Sequence, residues 1–84
     1  MYNQSGDRQN TALGVNAGRL ITSGPRNVLL GYAAGDAITI GEQNILIGHG
    51  ADVDAGAGSN RIGIGYNVSV DADNKTIIGA PNTD

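Results

Sequence analysis

The chain has 84 residues, a formal net charge of −3 at pH 7 and no Phe, Trp or Cys, with 14 Gly against three Tyr and one Met. A domain this small buries only about 60% of its unfolded surface, and neither disulfides nor a large aromatic core can make up the difference here. Because the chain is 39% hydrophobic and only 15% charged, it does not read as disordered, and its stability is expected to come from neighbours in an assembly.

The basic residues Arg8, Arg19, Arg26, Arg61 and Lys75 are spread singly along the chain, so no clustered patch is available for nucleic acid. Apolar runs of four residues or fewer fall far short of the roughly 20 that span a bilayer, and no membrane insertion is expected. The opening "MYNQSGDRQN" has no apolar h-region of a signal peptide. Absence of cysteine leaves the redox compartment open.

In chain order, the recurring element is "NTALG" at 10–14, then "NVLLG" at 27–31, "NILIG" at 44–48, "RIGIG" at 61–65 and "KTIIG" at 75–79. The closing glycines Gly14, Gly31, Gly48, Gly65 and Gly79 are spaced 17, 17, 17 and 14 apart. Asn10, Asn27 and Asn44 stand four residues before the glycine, whereas Asn60 and Asn74 stand five before it. Three residues after the first four glycines come Ala17, Ala34, Ala51 and Val68, and seven after them Ile21, Ile38, Ala55 and Ala72. Gly24, Gly41 and Gly58 close the long units. A fixed period of this length is the mark of a solenoid.

Glycine this frequent disfavours helix, at about 1 kcal/mol each relative to Ala, while Val, Ile and Thr favour strands. Each unit is therefore expected to be one coil of an all-β, parallel β-helix or β-roll. It should have one strand at the aliphatic run and a second around "RLIT", "DAITI" or "VDA". Equivalent residues then stack about 4.8 Å apart. One stack is Leu13, Leu30, Ile47, Ile64 and Ile78; another is Thr11, Val28, Ile45, Ile62 and Thr76; the row between them, facing the opposite way, is Ala12, Leu29, Leu46, Gly63 and Ile77. A strand that is apolar on both faces belongs to a sheet buried on both sides. One face should pack on the chain's own second strand and the other on further copies of the chain, so Val28, Leu29, Leu30, Ile45, Leu46, Ile47, Ile62, Ile64, Ile77 and Ile78 are the expected core and interchain contacts. Asn10, Asn27 and Asn44 are expected to form an amide ladder along one corner.

The units "NTALGVNAGRLITSGPRNVLLGYAAGDAITIGEQNILIG" resemble the repeats of bacteriophage tail-fibre and tailspike shafts that often precede a self-cleaving intramolecular chaperone domain. The last unit, "NRIGIGYNVSVDADNKTIIG", is also similar to the head repeats of trimeric autotransporter adhesins. The resemblance covers roughly residues 10 to 80 and implies a homotrimer. It implies a virion tail fibre as the location, with a bacterial cell surface as the alternative. The mixed spacing departs from the uniform pattern of either family. Residues 1–9 are expected to end a preceding coil or form a flexible start, 10–80 to form the repeat domain, and 81–84 to be a truncated tail.

Candidate chemistry is sparse. His49 follows its glycine where other units carry Val15, Tyr32, Tyr66 and Ala80; three copies about a threefold axis would make a weak metal site, but a place in a mixed surface stack is the favoured expectation. Asp52 and Asp54, and Asp71 and Asp73, form D-x-D pairs suited to calcium, yet no complete calcium loop follows and turn formation is the favoured account. The short "GHG", "GAG" and "GIG" segments read as corners, not phosphate loops. Tyr32 and Tyr66, two coils apart, are candidates for contact with a host surface polysaccharide. No cofactor is expected, and the chain is not expected to be an enzyme. The rival reading, a left-handed β-helix acyltransferase suggested by "ILIGHGADVDAGAG", requires an 18-residue phase that this spacing does not keep. Ice binding would require a Thr array, and Thr22 and Thr39 are not continued.

Overall fold

A computed structural model describes residues 9–79 and contains only strands, turns and bends among them. The chain winds as a parallel β-solenoid of about four turns. Strands β1 (Thr11–Leu13), β2 (Val28–Leu30), β3 (Ile45–Ile47), β5 (Ile62–Ile64) and β7 (Thr76–Ile78) form one five-stranded parallel sheet in the order β1-β2-β3-β5-β7. Strands β4 (Asp52–Val53) and β6 (Ser69–Val70) form a second, two-stranded parallel sheet. Thr11 pairs with Val28, Val28 with Ile45, Ile45 with Ile62 and Ile62 with Thr76. Coils 1 to 4 are accordingly residues 10–26, 27–43, 44–60 and 61–74, with a fifth entered at Lys75. The expectations for 1–8 and 80–84 fall outside the described residues.

The glycine after each main strand is there for two physical reasons. Gly31 has φ of 129°, a region that favours glycine. A Cβ on it would also lie 2.7 Å from the carbonyl oxygen of Gly48 in the next coil. Repeating the glycine lets successive backbones approach and hydrogen-bond, as from Gly31 N–H to the carbonyl of Leu13 and from Gly48 N–H to that of Leu30, each at 2.8 Å.

The core is the interior of the solenoid. Leu29 and Leu46 are fully buried with Ala17, Ala34, Ala51, Ile38, Val68 and Val70, and Ile77 packs partly against them. Its smallest principal extent is 14 Å, which leaves space for a single inner layer. Each buried Leu contributes roughly 1.5–3 kcal/mol.

One expectation is corrected. The second strand is absent from coils 1 and 2: "RLIT" and "DAITI" run as turns and bends, because Gly18 and Gly35, with φ of 63° and 64°, bend the chain there. Only coils 3 and 4 have the second strand, as β4 and β6. Ala55 and Ala72 are exposed and do not continue the buried pair Ile21 and Ile38. In those coils Val53 and Val70 reach the interior two residues earlier in the unit.

Candidate functional site

The main strands divide their apolar residues between the two faces. Leu29 is fully buried while its neighbours Val28 and Leu30 are 39% and 41% exposed. By register, Ile45, Ile47, Ile62 and Ile64 lie on that same outer face and are half-buried, and Ile78 is exposed at its end. Of the residues expected to make core or interchain contacts, Leu29, Leu46 and Ile77 thus serve the interior and the other seven form an outer apolar face. Neither outer row of the five-stranded sheet contains a charged residue. Five strands about 4.8 Å apart make that face roughly 20 Å long.

Beside this face, past the glycine corner, lies a column of rings. The His49 ring stacks on Tyr32 at a centroid distance of 5.0 Å and 17° between planes, and on Tyr66 at 5.4 Å and 28°. Each ring is on a different coil, so the column follows from the coil spacing. All three residues are exposed. The intervening His49 covers one face of each of the candidate tyrosines, Tyr32 and Tyr66. His49 takes the expected place in a mixed stack.

The opposite corner is polar and closed. Asn10, Asn27 and Asn44 form the expected ladder: each Oδ1 accepts from the backbone N–H of the next position, and the Nδ2 groups of Asn27 and Asn44 donate to the preceding Asn. Their Nδ2 groups also donate to the carbonyls of Gly24, Gly41 and Gly58 at 2.9, 3.0 and 3.0 Å. Asn60 and Asn74 stand outside this ladder. They occupy left-handed corners at φ 56° and 59°, in line with Gln9, Arg26 and Gln43, and Asn60 donates to Asn74.

The fourth ladder position is Arg61, only 6% exposed. Its Nη1 donates to Asp54 and to the Val70 carbonyl, both at 2.8 Å, and its Nε to Asp73 at 2.9 Å. Burial opposes the guanidinium charge, but Asp54 and Asp73 outweigh it and raise its pKa. Asp73, holding the Ser59 N–H and Arg61, is kept below the usual carboxylate range; Asp71 is lowered by Lys75 at 2.7 Å.

The two D-x-D pairs are therefore divided among separate partners. Asp54 and Asp73 hold Arg61, Asp71 holds Lys75, and Asp52 turns to coil 2. Both oxygens of Asp52 lie 3.2 Å from the Ala37 N–H, and Oδ1 accepts from Val53 at 2.9 Å. Burial pushes the Asp52 carboxyl up to about 7, and adjacent Asp36 adds to the shift against the Val53 and Ala37 N–H groups. Sequence reading passed over the roles of Arg61 and Asp36. The available signal for Arg61 was its occupation of the Asn position.

Among the described residues, no helix is long and apolar enough to cross a membrane, and no group of three His, Cys, Asp or Glu is placed to hold a metal. Comparison with protein-family models, curated proteins and solved structures found no match to the chain.

Proposed function

We propose that the chain is a structural segment of a trimeric viral tail fibre or tailspike, giving stiffness and threefold register for host attachment. The observation that carries this reading is the uncharged outer face of the five-stranded sheet, where Leu13 joins the seven Ile, Leu and Val side chains above in one register. Apolar surface arranged in this way is characteristic of protein contacts. The resemblance of the repeats to tail-fibre shafts supplies the threefold number and the virion location.

In this role the Asn ladder and glycine corners make each coil a template for the next. The outer face receives further copies of the chain, and no catalytic step or cofactor is needed. Sedimentation equilibrium of the full chain is expected to give a trimer. A folded monomer at micromolar concentration would overturn the proposal.

A second reading, a bacterial trimeric adhesin head or glycan-binding tip, is favoured by the exposed Tyr32, His49 and Tyr66 column. There the hydroxyl and imidazole edges, not the covered ring faces, would meet the surface polysaccharide. Glycan-array binding that disappears in Tyr32→Ala and Tyr66→Ala supports it; unchanged binding in both removes the role of the tyrosines.

A further inference from the structure

We infer that neighbouring copies of the chain lie parallel and in register, with the column of Tyr32, His49 and Tyr66 on one copy packed along the column of Arg26, Gln43 and Asn60 on the next. The inference rests on the proposed role of the outer face in receiving further copies, whatever their number, and adds which columns meet there.

The size of the face requires more than the strands. Its two outer rows, each roughly 20 Å long and about 7 Å apart, cover about 200 Å² in projection once side-chain width is included. A stable contact buries about 800 Å² on each partner, so the columns on either side have to be drawn in. From Arg26 to Tyr32 the coil 2 strip is seven residues wide. Carried along the sheet, that width doubles the projection to about 400 Å², and side-chain relief adds to it.

The two flanking columns differ in chemistry. On one side Arg26, Gln43 and Asn60 occupy successive left-handed corners and are exposed. On the other, Tyr32, His49 and Tyr66 follow them by six residues in each coil and are exposed as well. Stacking covers both faces of His49 and one face of each Tyr, so the column meets a neighbour with hydroxyl and imidazole edges. Guanidinium and amide groups suit those edges: Arg only donates, Gln and Asn donate and accept, and a hydroxyl or imidazole can take either part. Arg26 spends Nη2 on Glu42 at 3.1 Å, and the rest of its fork is left for a partner.

Register decides the orientation. A parallel copy, turned about an axis along the solenoid, brings one flank of its face against the other flank of its neighbour at the same coil. Arg26 then meets Tyr32, Gln43 meets His49 and Asn60 meets Tyr66, and the common offset of six residues lets all three pairs form together. An antiparallel copy sets like column against like column and forms none of them.

Cysteine cross-linking tests this, because the chain has no cysteine of its own. Arg26→Cys combined with Tyr32→Cys places two thiols roughly 15–20 Å apart within one copy, beyond the reach of a disulfide or a short bismaleimide, so any link joins two copies. A short bismaleimide is expected to convert most of this double variant to covalent multimers on a denaturing gel, and likewise Gln43→Cys combined with His49→Cys. His49→Cys alone should stay unlinked. Links in His49→Cys alone would show an antiparallel contact and overturn the inference. So would an assembling wild type of which neither double variant links, a result that leaves the proposed role of the outer face standing. A wild type that sediments as a folded monomer removes both.

Discussion

Coils 1 and 2 share a sheet with coils 3 and 4 but use a different path on the opposite side of the solenoid. On the shared side, all strands keep one register and the same alternation of inner and outer residues. On the other side, coils 1 and 2 bend at Gly18 and Gly35 and fill the interior with Ile21 and Ile38, whereas coils 3 and 4 run straight through β4 and β6 and use Val53 and Val70. The lesson is that backbone pairing holds one wall constant while the remaining path adapts to the residues available.

Arg61 marks the end of the long-coil pattern. A Cβ added at Gly24 or Gly41 would meet the carbonyl oxygen of the glycine one coil on, at 1.9 and 2.1 Å. At Gly58 it would meet the Arg61 guanidinium carbon at 2.4 Å. Coil 4 is three residues shorter, by the difference between 17 and 14, and the guanidinium lies where another glycine corner would stack. Asp54, Asp73 and the Val70 carbonyl accept from its Nε and Nη1 there.

The largest expected effect separates the inner wall from the outer face. Leu46→Asp places a charge in the interior with no partner and should abolish the β signal in far-UV circular dichroism. Leu30→Asp alters only the exposed side. If the outer face mediates assembly, this variant should dissociate in sedimentation equilibrium, and the β content it then retains measures how far a single solenoid is stable.

Next come the two versions of the polar corner. Asn44→Ala removes the acceptor for the Arg61 N–H and the donor to Gly58, and should cost about 2–4 kcal/mol by denaturant unfolding, since each buried group left unpaired costs roughly 1–3 kcal/mol. Arg61→Asn restores the ladder residue without filling the missing corner, so it too should destabilise. Full stability in Arg61→Asn would show that the guanidinium is not the filler.

Acid provides a test with opposite signs in the two halves. Asp71 and Asp73 have lowered pKa values, so the stability they contribute is present above the unfolded value and lost as pH falls through the folded one. Protonating Asp52 has the reverse effect on the junction of coils 2 and 3. Amide hydrogen exchange, corrected for its intrinsic pH dependence, should show the Ala37 region gaining protection as pH falls through about 7, and coil 4 losing protection only in stronger acid, below the ordinary carboxylate value.

The smallest effect concerns one corner residue. Asn16, Ala33 and Asn67 share a left-handed corner with φ of 63°, 58° and 54°, and left-handed backbone costs an ordinary L-residue roughly 1–2 kcal/mol. Ala33→Asn, giving coil 2 the residue used in coils 1 and 4, should therefore raise stability by about 0.5 kcal/mol. A fall in melting temperature would mean that the half-buried site cannot hold the amide.

By itself the sequence determined the coil count, the glycine corners, the Asn ladder and the pairing register. These are local requirements repeated in phase: a corner that tolerates no side chain needs glycine in every coil, and an amide ladder needs Asn at the same step. Alternation also separated Leu29 and Leu46 from Val28 and Leu30, but not inside from outside, because both sets are aliphatic. Only the tertiary structure decided that the Leu29 row faces inward, since that choice depends on where the chain closes. The same holds for the shift from Ile38 to Val53, the division of the D-x-D pairs and the contact of Asp52 with coil 2. Each depends on which residue of a neighbouring coil lies within hydrogen-bonding or packing reach, a distance that periodicity along the chain does not contain.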